Sequence, residues 1–423
     1  MRKTVSLFLA IALLSCGSLA ACTAKDAAST DALTTVTTAP SADLSDPAGT
    51  VADENLTRAK ALANAVFTKY YQKQSVALQE ELPANGQYAS IWDYMTVLSM
   101  VNRILALDPA DAEFDALRDS LLDGLDYYGQ PRTDQYQNTV YASRRTNTKW
   151  NASADVCYDD QIWLIREFLN VYESTGRQEY LERAEKLTDF VLTEGWEPDE
   201  GGIYWMVGGT TRNTCSNAPM IGALVRLYHL TGQQSYLDWA IKIYDWVNEH
   251  LLDSNGLYSD HVGTTYDEDG KAIDTHPPAT DKHAYNTGSM IYGGVLLYEA
   301  TGKNAYLVKA KQSAAAAYRY FTESVKTDEG SVPQYKITTN TWFNLILMEG
   351  FLELAEYDAT ADKALRAMQA SIDYGYTHNL RNGLLPKLYV SGDSDSKRRL
   401  IDMTANAEIY ALLSQYQQAA SEN

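Results

Sequence analysis

Three stretches decide the fold: "VYESTGRQEYLERA" (171–184), "LYHLTGQQSYLDWA" (227–240) and "LYEATGKNAYLVKA" (297–310). Each closes one apolar helical pattern at Thr-Gly and opens another at Tyr-Leu, with Ala three residues further on. Glycine just past a helix end takes the left-handed conformation that other residues resist. The stretches therefore read as helical hairpins with short loops. Fifteen residues before each Thr stand Asp160, Ser216 and Asn286, all of types that cap helix N-termini. The helices they introduce, "DQIWLIREFLNVY", "SNAPMIGALVRLY" and "NTGSMIYGGVLLY", are apolar around most of their circumference, which predicts burial on all sides. The helices after Thr-Gly, such as "YLERAEKLTDFVLTEGW", keep a charged face and belong outside.

The alternation continues in both directions. Inner helices are predicted over 90–108, 338–358 and 402–418. Outer ones are predicted over 54–74, "AEFDALRDSLLDGLDYY" and "ADKALRAMQASIDYGY". Six inner and six outer helices at a period of about 55–70 residues point to a closed ring, because open solenoids repeat at a shorter and more regular period. The expected fold is all-α, an (α/α)6 barrel filling residues 53–423 as one domain.

The segment before it reads differently. Arg2 and Lys3 precede the apolar run "VSLFLAIALL" (5–14), too short for an ordinary membrane span. "LAAC" (19–22) resembles the lipobox of bacterial lipoproteins and makes residues 1–22 a leader, with Cys22 lipidated after cleavage. Residues 23–52, rich in Ala, Thr, Ser, Asp and Pro, read as a disordered tether. The expectation is an exported monomer, held at the cell surface or periplasmic membrane face by its lipid anchor alone.

The net charge of −20 excludes nucleic acid and anionic membrane as general partners. Thirty Tyr and 8 Trp against 8 Phe suit sugar faces and helix packing equally. The six His form no zinc motif, and "YDEDGKAID" (266–274) lacks the closing Glu of a calcium loop. Cys157 and Cys215 are compatible with either a disulfide or two separate thiols.

Closure would gather the N-termini of the inner helices around one mouth. The segments there, "IWDY", "CYDD", "NTCSNAP", "AYNTG", "TTNTW" and "MTANAE", hold Trp, Tyr, Asp and Asn and neither Lys nor Arg. Two adjacent acids, Asp159 and Asp160, stand among them. Paired carboxyl groups about 5–5.5 Å apart suit glycoside hydrolysis with retention, one as nucleophile and one as proton donor, and like-charge proximity raises one pKa as a donor requires. Capping explains Asp160 but leaves Asp159 without a structural reason.

"YDDQIW", "GGIYW" (201–205), "RNTCSNAPMI" (212–221) and "YNTG" (285–288) together resemble glycoside hydrolase family 76, the endo-acting α-1,6-mannanases. The likeness runs over roughly residues 55–418. It implies an (α/α)6 barrel, cleavage of α-1,6-linked mannose backbones by a retaining mechanism, and no metal or cofactor. It also implies Asp159 as nucleophile and Asp160 as acid/base, while Cys157 and Cys215 depart from the family pattern. From their position at the mouth, Trp92, Asp93, Tyr158, Trp205 and Trp342 are candidates to stack on or bond to sugar. Asn213, Asn217, Tyr285 and Asn286 are candidates to bind hydroxyls. The competing readings are another enzyme of the same fold, such as an unsaturated glucuronyl hydrolase, and a surface glycan-binding lipoprotein without catalysis. Uronate binding would favour Arg or Lys at the mouth.

Overall fold

A computed structural model describes residues 47–132, 139–266, 272–275, 278–393 and 396–422. The leader, Cys22 and nearly all of the tether lie outside the described residues, as does the centre of 266–274. Among the described residues are twelve α-helices: α1 (Pro47–Tyr70), α2 (Ile91–Leu107), α3 (Ala112–Gly124), α4 (Tyr158–Thr175), α5 (Gln178–Glu194), α6 (Thr214–Thr231), α7 (Gln234–His250), α8 (Ala284–Thr301), α9 (Asn304–Phe321), α10 (Trp342–Leu354), α11 (Ala359–Tyr374) and α12 (Leu400–Glu422). No described helix is long and apolar enough to cross a membrane.

The even-numbered helices form the inner ring. Each packs on the next, and α12 returns to α2. Across that seam the hydroxyls of Thr96 and Thr404 share a hydrogen bond of 2.8 Å. Helices α3, α5, α7, α9 and α11 each lie against the inner helix that precedes them. Helix α1 completes the outer ring: Asn55 and Gln369 of α11 exchange side-chain amide hydrogen bonds, and Lys60 reaches Asp108 and Asp111 at the start of α3. The chain is a closed (α/α)6 barrel. Its first helix opens at Pro47, inside the stretch read as tether, and proline at a first helical position loses no helix hydrogen bond.

The repeated hairpin has a simple physical basis. Gly176, Gly232 and Gly302 stand just past their helices with φ of 71, 72 and 70°. Their N–H groups close the last turn on the carbonyls of Tyr172, Tyr228 and Tyr298. The preceding Thr175, Thr231 and Thr301 donate to the carbonyl four residues back and accept from the N–H two residues ahead, which fastens the turn on both sides. Leu181, Leu237 and Leu307, with Ala184, Ala240 and Ala310, then bury the inward face of each outer helix.

The helix starts differ from the sequence expectation. Asp160, Ser216 and Asn286 are not N-caps. Their helices begin earlier, and the caps are Cys157, Asn213 and His283, none of which caps with its side chain. Loop backbone does part of this work instead: Tyr158 N–H donates to the Trp205 carbonyl and Thr214 N–H to that of Asp260, both at 2.8 Å. Capping by carbonyls leaves the side chains of the first turn available for other contacts.

Nor are the inner helices wholly apolar. About two turns or more along them from the mouth, every inner helix but α8 sends charge into a shared network. Arg103 pairs with Glu349 and with Glu408, the latter at 3.0 Å, and Arg166 meets Glu349 at 2.7 Å. Asn102 donates to Glu167 at 2.8 Å, and Arg226 donates to Asn170 and Glu173 at 2.7 Å each. Burial pushes Glu349 up, but Arg166 and Arg103 outweigh it and hold the carboxyl below its usual range. Glu408 is pushed up to about 7, burial prevailing over Arg103. Charges on helices with no solvent face survive only where they pair in this way.

Candidate active site

Asp159 and Asp160 are the second and third residues of α4, with carboxylate oxygens within 4.8 Å of one another. Both side chains are half-buried. Their surroundings differ. Asp159 accepts three hydrogen bonds: from Trp205 Nε1 (3.1 Å) and Cys215 Sγ (3.4 Å) on Oδ2, and from the Asp160 backbone N–H (2.9 Å) on Oδ1. Burial raises its pKa to about 6, against the pull of those donors. Asp160 is raised well above the usual carboxylate range by burial, by the charge of Asp159 and by that of Asp93, with only the Cys157 thiol opposing. One acid is thus equipped to be ionised and its neighbour to keep a proton.

The extended segment that carries Trp205 makes only isolated bridges and is held by the surrounding motif residues. Gly201 and Gly202 have φ of +78 and +86° and pass directly under Trp246. Arg212 donates to the Gly201 carbonyl, and Trp246 Nε1 to that of Glu200. Asn217 clamps Ile203 from both sides, accepting from its N–H (2.8 Å) and donating to its carbonyl (2.9 Å), and Ser216 adds a further bond to that carbonyl. The result is an indole 40% exposed beside the acid pair. A Cβ on Gly202 would stand 2.4 Å from the Trp246 ring in a conformation L side chains resist. Gly202→Ala is therefore expected to lower stability by about 2–4 kcal/mol in urea unfolding. An unchanged midpoint would show that the segment is not held there.

Six of the other residues singled out from sequence fall into two groups. Trp92, Trp342 and Tyr285 form an aromatic wall with Trp163 and Phe343: Tyr285 stacks on Phe343 at 3.9 Å, and Trp342 meets Trp163 edge-on at 4.7 Å and Trp92 at 5.5 Å. Trp342 is itself buried within this wall. Asp93, Asn213 and Asn286 stand in or at the first turns of α2, α6 and α8 with one buried side-chain oxygen each that has no hydrogen-bond partner. Trp92 Nε1 and Asp402 Oδ2 are likewise unpartnered. Two candidates sit elsewhere. The Tyr158 ring packs on Phe190 in the core between α4 and α5, and the Asn217 amide is spent on the Ile203 clamp. Cys157 and Cys215 are free thiols.

Sequence reasoning passed over several neighbours of the site. Asp260 accepts from Asn286 Nδ2 and faces His261 and His283, but it lies in a loop with no periodic signal. Trp163 could have been found, since it stands one turn from Asp159 and Asp160 on α4. Arg399 corrects the expectation of a mouth without cations. It immediately precedes α12 and its charge acts on Asp93 and Asp402, in both cases against the upward push of burial. Among the described residues, the one grouping with metal-ligand spacing is Cys157, Asp159 and Asp160, which is the acid pair itself and one thiol. A separate cavity of about 520 Å³, lined by Arg132, Val156, Phe190 and Val207 among others, includes neither acid.

The sequence pattern of glycosyl hydrolase family 76 matches residues 56–380. The chain belongs to glycosyl hydrolase family 76. Among curated relatives, this family 76 chain is 28% identical over 225 residues to a mannan endo-1,6-alpha-mannosidase of Saccharomyces cerevisiae, covering 48% of each chain. It is 29% identical over 224 residues to the corresponding protein of Candida glabrata, again covering 48% of each. The match thus spans about half the length of these relatives. Solved structures share the fold. A family 76 mannosidase from Bacteroides thetaiotaomicron superposes with a TM-score of 0.76 at 23% identity, over 88% of this chain and 100% of that one. An inactive variant of the α-1,6-mannanase of Salegentibacter sp. HEL1_6, with two adjacent aspartates changed to asparagine and α-1,6-mannotriose bound, superposes with a TM-score of 0.68 at 22% identity, over 86% and 99%.

Proposed function

We infer that the protein is an endo-acting α-1,6-mannanase that hydrolyses mannan-type backbones with retention of configuration. The observation that carries this reading is the acid pair: adjacent carboxyl groups at the short spacing of a double displacement, in environments that separate their proton affinities. Asp159, held by three donors, is the nucleophile that attacks the anomeric carbon. Asp160 protonates the departing glycosidic oxygen, then takes a proton from the water that releases the glycosyl-enzyme. Trp205 gives a sugar ring an aromatic face. The unpartnered oxygens of Asp93, Asn213, Asn286 and Asp402 are acceptors for hydroxyl groups, and Trp92 Nε1 is a donor. The curated relatives named as mannan endo-1,6-alpha-mannosidases, and the inactive Salegentibacter variant in complex with α-1,6-mannotriose, support the substrate class.

Arg399 does not favour a uronate-cleaving enzyme, because the charges of Asp93 and Asp402 already face it. The test is incubation with debranched yeast mannan, followed by product size and anomeric signal. Short α-1,6-manno-oligosaccharides appearing first as α anomers are expected. First products of β configuration would overturn retention, and no release would overturn the activity.

We also propose that the enzyme works as a monomer tethered through lipidated Cys22, supported by the lipobox-like "LAAC" and the polar stretch after it. Cys22→Ala is expected to move the protein from the membrane to the soluble fraction. Retention in the membrane would refute the anchor, and elution as a dimer in size-exclusion chromatography would refute the monomer.

A further inference from the structure

The two thiols stand where the family resemblance gave them no role. Cys215, the second residue of α6, is buried, and its sulfur lies 3.4 Å from Asp159 Oδ2, on the oxygen that Trp205 also serves. The Tyr285 hydroxyl of α8 acts on the same thiol, favouring its ionised form against the push of burial. The Cys215 S–H donates directly to the Asp159 carboxylate. Cys157 is the N-cap of α4 yet makes no capping bond, although Ser, Thr, Asp or Asn would cap there. Its sulfur lies within 4.8 Å of oxygens of both acids, and its thiol favours the ionised form of Asp160.

We propose that Cys157 and Cys215 are positioning residues of the acid pair, one thiol to each carboxyl: Cys215 holds Asp159 and Cys157 holds Asp160. A thiol is a weak donor. It can orient a carboxyl group without binding the ionised form as tightly as a hydroxyl would. That matters most at Asp160, whose task is to carry a proton. The titratable and charged groups around the pair are Asp93 of α2, Asp155 before α4, Asp260 before α8, Cys215 and Tyr285. Both thiols are driven well above their ordinary pKa by burial and by the nearby carboxylates, so both remain protonated donors across the working range.

The proposal rests on the mannanase reading for its kinetic test and is independent of it for the other. Activity is lost as pH falls through the pKa of Asp159 and as pH rises through that of Asp160. Removing a donor raises the pKa of the carboxyl it served. Cys215→Ala is therefore expected to move the acid limb of kcat/KM upward by about half a pH unit, narrowing the profile. Cys157→Ala is expected to move the basic limb upward and widen it. Cys157→Ser and Cys215→Ser, as stronger donors, are expected to shift the same limbs downward. Thermal unfolding establishes that each variant is folded, and the serine variants keep the volume of the site nearly unchanged. In parallel, 13C NMR of labelled aspartate carboxyl groups in the substrate-free protein is expected to show the titration of Asp159 shifted upward in Cys215→Ala. That measurement stands even if the wild type leaves mannan uncut. Activity reduced equally at every pH, with unshifted carboxyl titrations, would make the thiols packing residues only and overturn the proposal.

Discussion

Asp159→Asn is expected to lower kcat/KM on α-1,6-mannan by about 10³-fold or more, and Asp160→Asn by about 10²–10⁴-fold, with neither variant less stable than the wild type. Both acids are lifted in pKa by burial, and Asp160 also by the charges of Asp159 and Asp93. An amide at either position removes the cost of burying an acidic group beside a second acid, so the melting temperature is expected to hold or rise. The order within the pair is tested by the leaving group. An aryl mannoside whose phenol departs without a proton does not need the acid for glycosylation. Asp160→Asn is therefore expected to retain a rapid first turnover on it, whereas Asp159→Asn is not. The opposite pattern would reverse the two roles.

Glu349→Ala is expected to destabilise the barrel by about 3–5 kcal/mol in denaturant titration. Glu349 is the shared partner of Arg103 from α2 and Arg166 from α4, and its loss strips Arg166 of its acidic partner and leaves Arg103 with Glu408 alone. Glu349→Gln keeps the hydrogen-bonding shape and is expected to cost less. Replacing Arg103, Arg166, Glu349 and Glu408 together by apolar residues of similar volume is expected to recover much of the loss, because the penalty comes from the orphaned charges. A loss under 1 kcal/mol for Glu349→Ala would show that water already reaches these groups.

The hairpins were legible because each element of Thr-Gly-x-x-x-Tyr-Leu answers a local demand: a turn fastener, a left-handed residue and the first contacts of an outer helix. Local demands are written in local sequence. Helices α4 and α6 start three residues before the expected caps because their first N–H groups are met by the carbonyls of Trp205 and Asp260, supplied by distant loops. A place at the mouth makes Tyr158 and Asn217 candidates for sugar contact, yet an element's end does not fix which way its side chains turn. The Gly-Gly-Ile-Tyr-Trp segment was recognisable as a motif, while its mechanical purpose, presenting Trp205 to Asp159, required the position of Trp246. The charged network was hidden for another reason. Arg103, Arg166 and Glu349 each interrupt an apolar pattern singly, and their mutual pairing exists only once the ring is closed.

Closure also governs when this protein can work. The seam joins Thr96 to Thr404, 308 residues apart in sequence. Helix α12 also delivers Asp402 to the mouth and Glu408 to the charged network. A chain still being synthesised therefore has the acid pair but neither a finished mouth nor a finished interior. Contacts this distant in sequence slow folding. For a chain that crosses a membrane to reach the proposed anchor, that delay would keep it threadable in transit, and the proposed activity would await the docking of α12.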